Sequence, residues 1–268
     1  MTEQPRDFAT TIGGVRFPSC VMNASGVWSS TAAELRALTR SGTGAIVLKT
    51  ATVHPFVHRQ YRALHNPGYD KLLPLVRELA AAAPCPIVAS IAGSSVDEYA
   101  TLARAFAEAG AAMLEVDLAD DWVAATLAPW EERETLRLLF VKLRDASPAP
   151  LSVKLPERLP IPYRLVGEQL AAAGVGVVVA KNDFEGFERL RLATGGALEV
   201  IAAGGVRSGY DVSRAIAKGA KAVQVGSALL SEGPGIFARL DREMRVARAR
   251  PSGAPVALHD TPGKPSGS

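Results

Sequence analysis

Cysteine is scarce. Cys20 and Cys85 are the only two in 268 residues, each in apolar surroundings (PSCVMN and APCPIVAS) and neither at metal-ligand spacing. A disulfide framework and a cysteine metal site are thereby excluded, and buried free thiols in a reducing cytoplasm are expected. Aromatic residues are also few, at 6%, and the formal charge is only +3. The basic face and stacking rings of a nucleic-acid binder are therefore missing. No apolar run is long enough to span a membrane, and the start, MTEQPRDFATT, has no signal-peptide h-region. These gaps leave a soluble cytoplasmic protein whose partner is a small molecule, with no metal.

What is present is core-building material: 48% hydrophobic and 21% charged residues. One local pattern recurs, a helix closing at a glycine and a β-branched strand starting shortly after: SGTGAIVLK, AGAAMLEVD, AGVGVVVAK, KGAKAVQVG. Gly42, Gly110, Gly174 and Gly219 suit the left-handed residue that ends a helix. Helix starts are marked by the capping spacing Thr31-x-x-Glu34, Ser95-x-x-Glu98 and Ser208-x-x-Asp211. The pattern predicts eight strands, around 19–23, 44–49, 86–91, 112–118, 151–155, 176–181, 199–203 and 221–226, each followed by an amphipathic helical segment. Apolar runs such as AIVLK and GVVVA belong in a parallel sheet covered on both faces.

Eight such units argue for an α/β fold of the (β/α)8 TIM-barrel type. A doubly wound sheet is the competitor, but the Gly-x-Gly-x-x-Gly turn it usually carries after its first strand is absent. FATTIGGVRF, with its Gly13–Gly14 turn, reads as an N-terminal β-hairpin capping the barrel floor. One domain is expected over 1–248, followed by a flexible tail over 249–268.

The chemistry of such barrels sits at the C-terminal ends of the strands. Those ends carry Asn23 with Ala24, Ser25 and Gly26, then Lys49 and Thr50, Ser90, Asp117, Lys154, Lys181 and Asn182, Gly204 and Gly205, and Gly226 and Ser227. Three lysines and two glycine-containing turns around one mouth imply an anionic ligand. The turns after strands seven and eight are where barrels of this type hold a phosphate with backbone N–H groups. The alternative is that these glycines only turn the chain. Lys49 and Lys154 close apolar strands and suit an electron-rich ring or a carboxylate, while Lys181 is equally a solvated terminus. After strand four, LEVDLADDW crowds Asp117, Asp120 and Asp121 together, as an active site or as a solvated acidic loop.

Several stretches match a known pattern. MNASG (22–26), LK-T (48–50), SIAG (90–93), VKLP (153–156), the Lys181–Asn182 pair, AAGGV with SGYD (202–211) and VQVGSALLSEGPGIF (223–237) resemble the dihydroorotate dehydrogenases, in their soluble class 1 form. The likeness runs in order from about residue 8 to 244. It implies FMN across the barrel mouth, with Ala24, Ser25 and Gly26 lining the flavin and Lys49 and Thr50 beside it. It also implies Lys154 at the ring edge that gains charge on reduction, Asn182 on both flavin and substrate, and Gly204, Gly205, Gly226 and Ser227 on the phosphate. Homodimerisation is implied as well.

Three stretches depart from that pattern. The family's Asn-x-Ser-Cys-Pro-Asn motif is here Asp117-Leu118-Ala119-Asp120-Asp121-Trp122, so Asp117 replaces the asparagine and Asp120 stands at the base position. HPFVHRQYRALHNPGYD lacks the family's Asn-Ser-Met-Gly-Leu-Pro-Asn, with Asn66 left as its substitute. The segment between Asn182 and Val200 lacks a glycine-rich insertion. The expected catalytic residues are Asp120, Lys154 and Asp117, with Lys49, Asn66, Asp117 and Asn182 binding substrate. The expected activity is FMN-dependent oxidation of dihydroorotate to orotate, in pyrimidine biosynthesis, or of a related small cyclic substrate. The rivals are a flavin-binding relative without that activity, serving in binding or regulation, and a Schiff-base aldolase using Lys181 or Lys154.

Overall fold

The computed structural model describes residues 8–55, 68–119, 127, 129–130, 133–159, 161–181 and 186–249. An antiparallel hairpin, β1 (Thr10–Ile12) and β2 (Val15–Phe17), precedes eight parallel strands. These are β3 (Val21–Asn23), β4 (Ile46–Val47), β5 (Ile87–Ile91), β6 (Met113–Asp117), β7 (Leu151–Lys154), β8 (Val177–Lys181), β9 (Glu199–Ala203) and β10 (Ala220–Val225). All eight fall where the sequence pattern puts them, six to within a residue and β3 and β4 shorter than expected by two residues at an end. Hydrogen-bonded neighbours follow the order β3-β10-β9-β8-β7-β6-β5-β4, the first strand pairing with the last as a barrel requires.

Helices follow the strands: α1 (Ala32–Thr39), α2 (Leu73–Ala82), α3 (Val96–Glu108), α4 (Arg133–Ala146), α5 (Tyr163–Ala172), α6 (Gly186–Ala193), α7 (Gly209–Ala217), α8 (Ser227–Glu232) and α9 (Ile236–Ala249). Both full capping boxes expected at Thr31 and Ser208 form. At Ser95 only half forms: its hydroxyl accepts from Glu98, whose carboxylate turns instead to the N–H and hydroxyl of Ser94. Gly42, Gly110, Gly174 and Gly219 each follow a helix with φ of 82°, 98°, 69° and 102°. Cys20 and Cys85 are buried free thiols. Among the described residues no helix is long and apolar enough to cross a membrane. The tail beyond 249 lies outside the described residues.

The seam between β3 and β4 is closed by side-chain chemistry. Asn23, fully buried, donates from Nδ2 to the Val47 carbonyl at 2.7 Å and accepts from the Val47 N–H at 2.9 Å. Lower on the seam, Gly44 N–H donates to the Val21 carbonyl at 2.7 Å. A Cβ on Gly44 would lie 1.9 Å from the Ser19 carbonyl oxygen, so only glycine lets the two chains approach this closely. At the opposite pole from the strand C-termini, Gly13 sits against Met113, Val177 and Pro150 and donates its N–H to Glu199 Oε2 at 2.7 Å. The hairpin thus plugs the floor, with Ile12 and Phe17 fully buried.

Candidate active site

Strand β6 alternates its side chains across the sheet, so Glu115 and Asp117 share one face. Register then sets their neighbours: Ser90 of β5 is level with Glu115, Ser152 of β7 is level with Glu115 from the other side, and Lys154 of β7 is level with Asp117. Sequence spacing alone cannot supply these cross-strand partners.

Asp117 is the centre of the cluster, and its side chain is only 3% exposed. Its Oδ2 accepts from the Thr50 hydroxyl at 2.9 Å and from Lys154 Nζ at 3.4 Å, and its Oδ1 accepts the Ala119 N–H at 3.0 Å. Tyr99, buried behind it, donates its hydroxyl to the Asp117 carbonyl at 2.8 Å. Asp117 is therefore no part of a solvated acidic loop. Thr50 joins two further hydroxyls, Ser25 and Ser90, each at 2.9 Å. Lys49, 7% exposed, closes the neighbouring strand and donates its backbone N–H to the Ser29 carbonyl at 3.2 Å.

One layer deeper lies a carboxyl that the sequence reading missed. Glu115 is wholly buried, and Gln224 Nε2 of β10 donates to its Oε2 at 2.6 Å. Burial pushes the Glu115 carboxyl up from its ordinary value; Lys154 opposes that shift, Asp117 adds to it, and hydrogen bonding to Gln224 and Ser90 opposes it again. A signal was available, since Glu115 is an acidic residue set between apolar ones in the middle of a strand run, ahead of Asp117 at its end.

The other side of the mouth is made of small residues. Gly204 has φ of 83° with open space where a Cβ would point, Gly205 has φ of 70°, and both are exposed. A Cβ on Gly226 would meet only the Ala24 methyl, at 3.8 Å, and Ala24 N–H donates to the Val225 carbonyl at 2.9 Å. Ser227, exposed, opens α8 directly after Gly226, and Gly26 has φ of 85°. The structure thus gathers Ala24, Gly204 and Gly226 at one side and Ser25, Lys49, Thr50, Asp117 and Lys154 at the strand ends beside them. Asn66, Asp120, Asp121 and Asn182 lie outside the described residues, as does the side chain of Lys181. Among the described residues no group of three His, Cys, Asp or Glu side chains is arranged to hold a metal.

Comparison with known proteins bears on this site. The family model described as dihydroorotate dehydrogenase matches residues 169–247, which span β8 to α9 and both glycine turns. A dihydroorotate dehydrogenase (fumarate) of Trypanosoma cruzi is 30% identical over 285 residues, covering 87% of this chain and 91% of that protein. The chain belongs to the dihydroorotate dehydrogenase family. Two solved structures show that the fold is shared. The dihydroorotate dehydrogenase of Eimeria tenella in complex with ferulenol superposes with a TM-score of 0.79 at 15% identity, over 92% of this chain and 86% of that one. Its ligand-free form gives 0.81 at 16%, over 93% and 90%. Membership makes the protein a flavin-dependent oxidoreductase of the kind that acts on CH–CH groups, with FMN as the cofactor.

Proposed function

We propose that the protein oxidises dihydroorotate to orotate, or a related small cyclic substrate, in pyrimidine biosynthesis, with FMN held across the mouth of the barrel. The observation that carries this reading is the two-sided mouth. Open glycine turns after β9 and β10 face a buried acid, a lysine and three hydroxyls at the ends of β3 to β7.

The residues present fit FMN. At Gly204 nothing occupies the space a Cβ would take, and at Gly226 only a methyl approaches it, so backbone can close on phosphate oxygens without a side chain intervening. On this reading Gly204, Gly205, Gly226 and Ser227 hold the phosphate, while Ala24, Ser25, Gly26, Lys49 and Thr50 line the ring. When bound, FMN supplies the hydride acceptor. Lys154 brings positive charge to the mouth where the reaction builds negative charge. Lys49, Asn66 and Asn182 bind substrate beside Asp117, whose carboxylate only accepts hydrogen bonds and so suits a ring N–H. Asp120 stands at the base position and takes the carbon-bound proton. The Schiff-base reading is weakened at Lys154, which forms an ion pair with Asp117 as an ammonium does, whereas an amine nucleophile must be unprotonated. One domain over 1–248, a cytoplasmic location and a homodimer complete the reading; sedimentation tests the dimer.

The purified protein should be yellow, with absorption near ~450 nm that survives desalting. Dihydroorotate added without oxygen should bleach it, and Asp120→Asn should stop the bleaching without releasing FMN. A colourless protein that cannot be reconstituted with FMN sinks this reading. A yellow protein that dihydroorotate leaves unbleached keeps the cofactor and moves the substrate to a related ring.

A further inference from the structure

Asp117 sits in a place built for two acceptor oxygens. Thr50 and Lys154 both donate to its Oδ2, at 2.9 and 3.4 Å, and the Ala119 N–H donates to its Oδ1 at 3.0 Å. A carboxylate meets all three donors. An asparagine has one acceptor oxygen, so its amide N–H groups would face either Ala119 or the Thr50 and Lys154 donors. Yet asparagine is what the family pattern carries at this position, and the chain departs from it here. From behind, the Tyr99 hydroxyl donates to the Asp117 carbonyl at 2.8 Å, so the main chain is held independently of the side chain.

The acid and its lysine differ in exposure. The Asp117 side chain is 3% exposed, while that of Lys154 is 25% exposed. The carboxylate is thus shut away from water, and solvent screens it poorly. Register keeps the two together, since Lys154 of β7 is level with Asp117 of β6. Glu115, the other acid on this face of β6, is a layer deeper, where Gln224 donates to it at 2.6 Å. A ligand that gains negative charge beside Lys154 therefore meets a cation and an anion whose charges sum to zero.

We propose that Asp117 is a built-in counter-ion to Lys154 that holds the reduction potential of the flavin down. The proposal rests on the reading that FMN lies across the mouth, with Lys154 at the ring edge that gains charge. Lys154 alone would stabilise the reduced ring, and Asp117 takes back most of that stabilisation. The barrel mouth is thereby biased toward handing electrons on rather than keeping them. No bond forms or breaks in this role. Asp117 acts through its charge, and Thr50, Ala119 and Tyr99 keep that charge in place.

Anaerobic titration of the FMN-loaded protein against an indicator dye of known potential reads the ratio of reduced to oxidised flavin, with no substrate present. At a fixed poise, Asp117→Asn should raise that ratio about tenfold, which is ~30 mV for a two-electron couple. Asp117→Ala should shift it the same way, and it carries the test if the asparagine amide disturbs the fold at Ala119. Lys154→Met should lower the ratio. Combining Lys154→Met with Asp117→Ala should bring it back close to the wild-type value, because both charges are then gone. An acid that only braced the strand end would give no such return. Asp117 variants with an unchanged or lower ratio, or a double variant no higher than Lys154→Met, overturn the proposal and leave the FMN site and the substrate untouched. A colourless protein that cannot be reconstituted overturns the proposal and the proposed function together. Potentials that shift as expected in a protein that dihydroorotate does not bleach uphold the counter-ion and count against the substrate alone.

Discussion

Asn23 and Val47 are joined as two strand residues would be, except that one partner is a side chain: the Asn23 amide both donates to and accepts from the Val47 peptide, at 2.7 and 2.9 Å. The β3–β4 seam is thereby closed at the level where the mouth begins. Asn23→Leu would leave a buried N–H and a buried carbonyl of Val47 unsatisfied, a loss of about 3 kcal/mol. In a chain of this size that should lower the melting temperature by roughly 6–12 °C. Thermal unfolding followed by circular dichroism checks it, and an unchanged midpoint would mean the seam holds by other contacts.

Gly226→Asp and Gly205→Asp should lose FMN while keeping the fold. Each places a carboxylate against a phosphate, where like charges a few ångströms apart repel by about 1–4 kcal/mol at surface-like dielectric. Gly205 adds backbone strain from its φ of 70°, whereas Gly226, at φ of −110°, adds none of that kind. Bound flavin per protein chain, measured after desalting, is the readout. Full flavin in both variants would put the phosphate elsewhere.

Lys154→Ala should keep FMN and slow the reduction of the flavin by about 100-fold, the typical effect of removing one group that stabilises developing charge. Asp117 would lose its ammonium partner but keep the Thr50 and Ala119 donors, so the cluster should stay assembled. Stopped-flow bleaching without oxygen gives the rate, and desalting gives the binding. Equal loss of both would contradict the role assigned to Lys154.

Glu115 makes stability depend on pH. Its folded-state value is raised above the ordinary 4.5, so between those two values the folded chain holds a proton that the unfolded chain has released. Stability from this group is complete below about 4.5 and falls as pH rises toward the folded value, by up to ~1.4 kcal/mol per pH unit. Glu115→Gln removes the titrating group. Unfolding by urea at a series of pH values should show the variant gaining on the wild type as pH increases. Parallel curves would mean that Glu115 titrates normally.

The strands were legible because they are short apolar runs, four of them entered through a glycine that closes a helix, and the helix starts because two capping boxes are spelled out in full. The box at Ser95 misled in part: Ser94, one residue earlier, offers both an N–H and a hydroxyl to Glu98 and wins its carboxylate. Asn23 was visible as a strand end, but nothing local says that its amide is spent on the seam. LEVDLADDW drew attention to its aspartates, while Glu115 passed as strand. Only when the strand curls into a barrel does its alternation turn Glu115 inward, and only register puts Lys154 beside Asp117.

The hairpin that plugs the floor has a consequence for how the chain assembles. Gly13 is made well before its partner, since the carboxylate that receives its N–H belongs to Glu199, 186 residues later. Val21 likewise pairs with Val223 of the final strand. During synthesis the hairpin and β3 have no partner until nearly two hundred further residues have followed them, so the contacts that close the barrel form late. Closure of the barrel is thus a late, long-range event, and such contacts make folding slow.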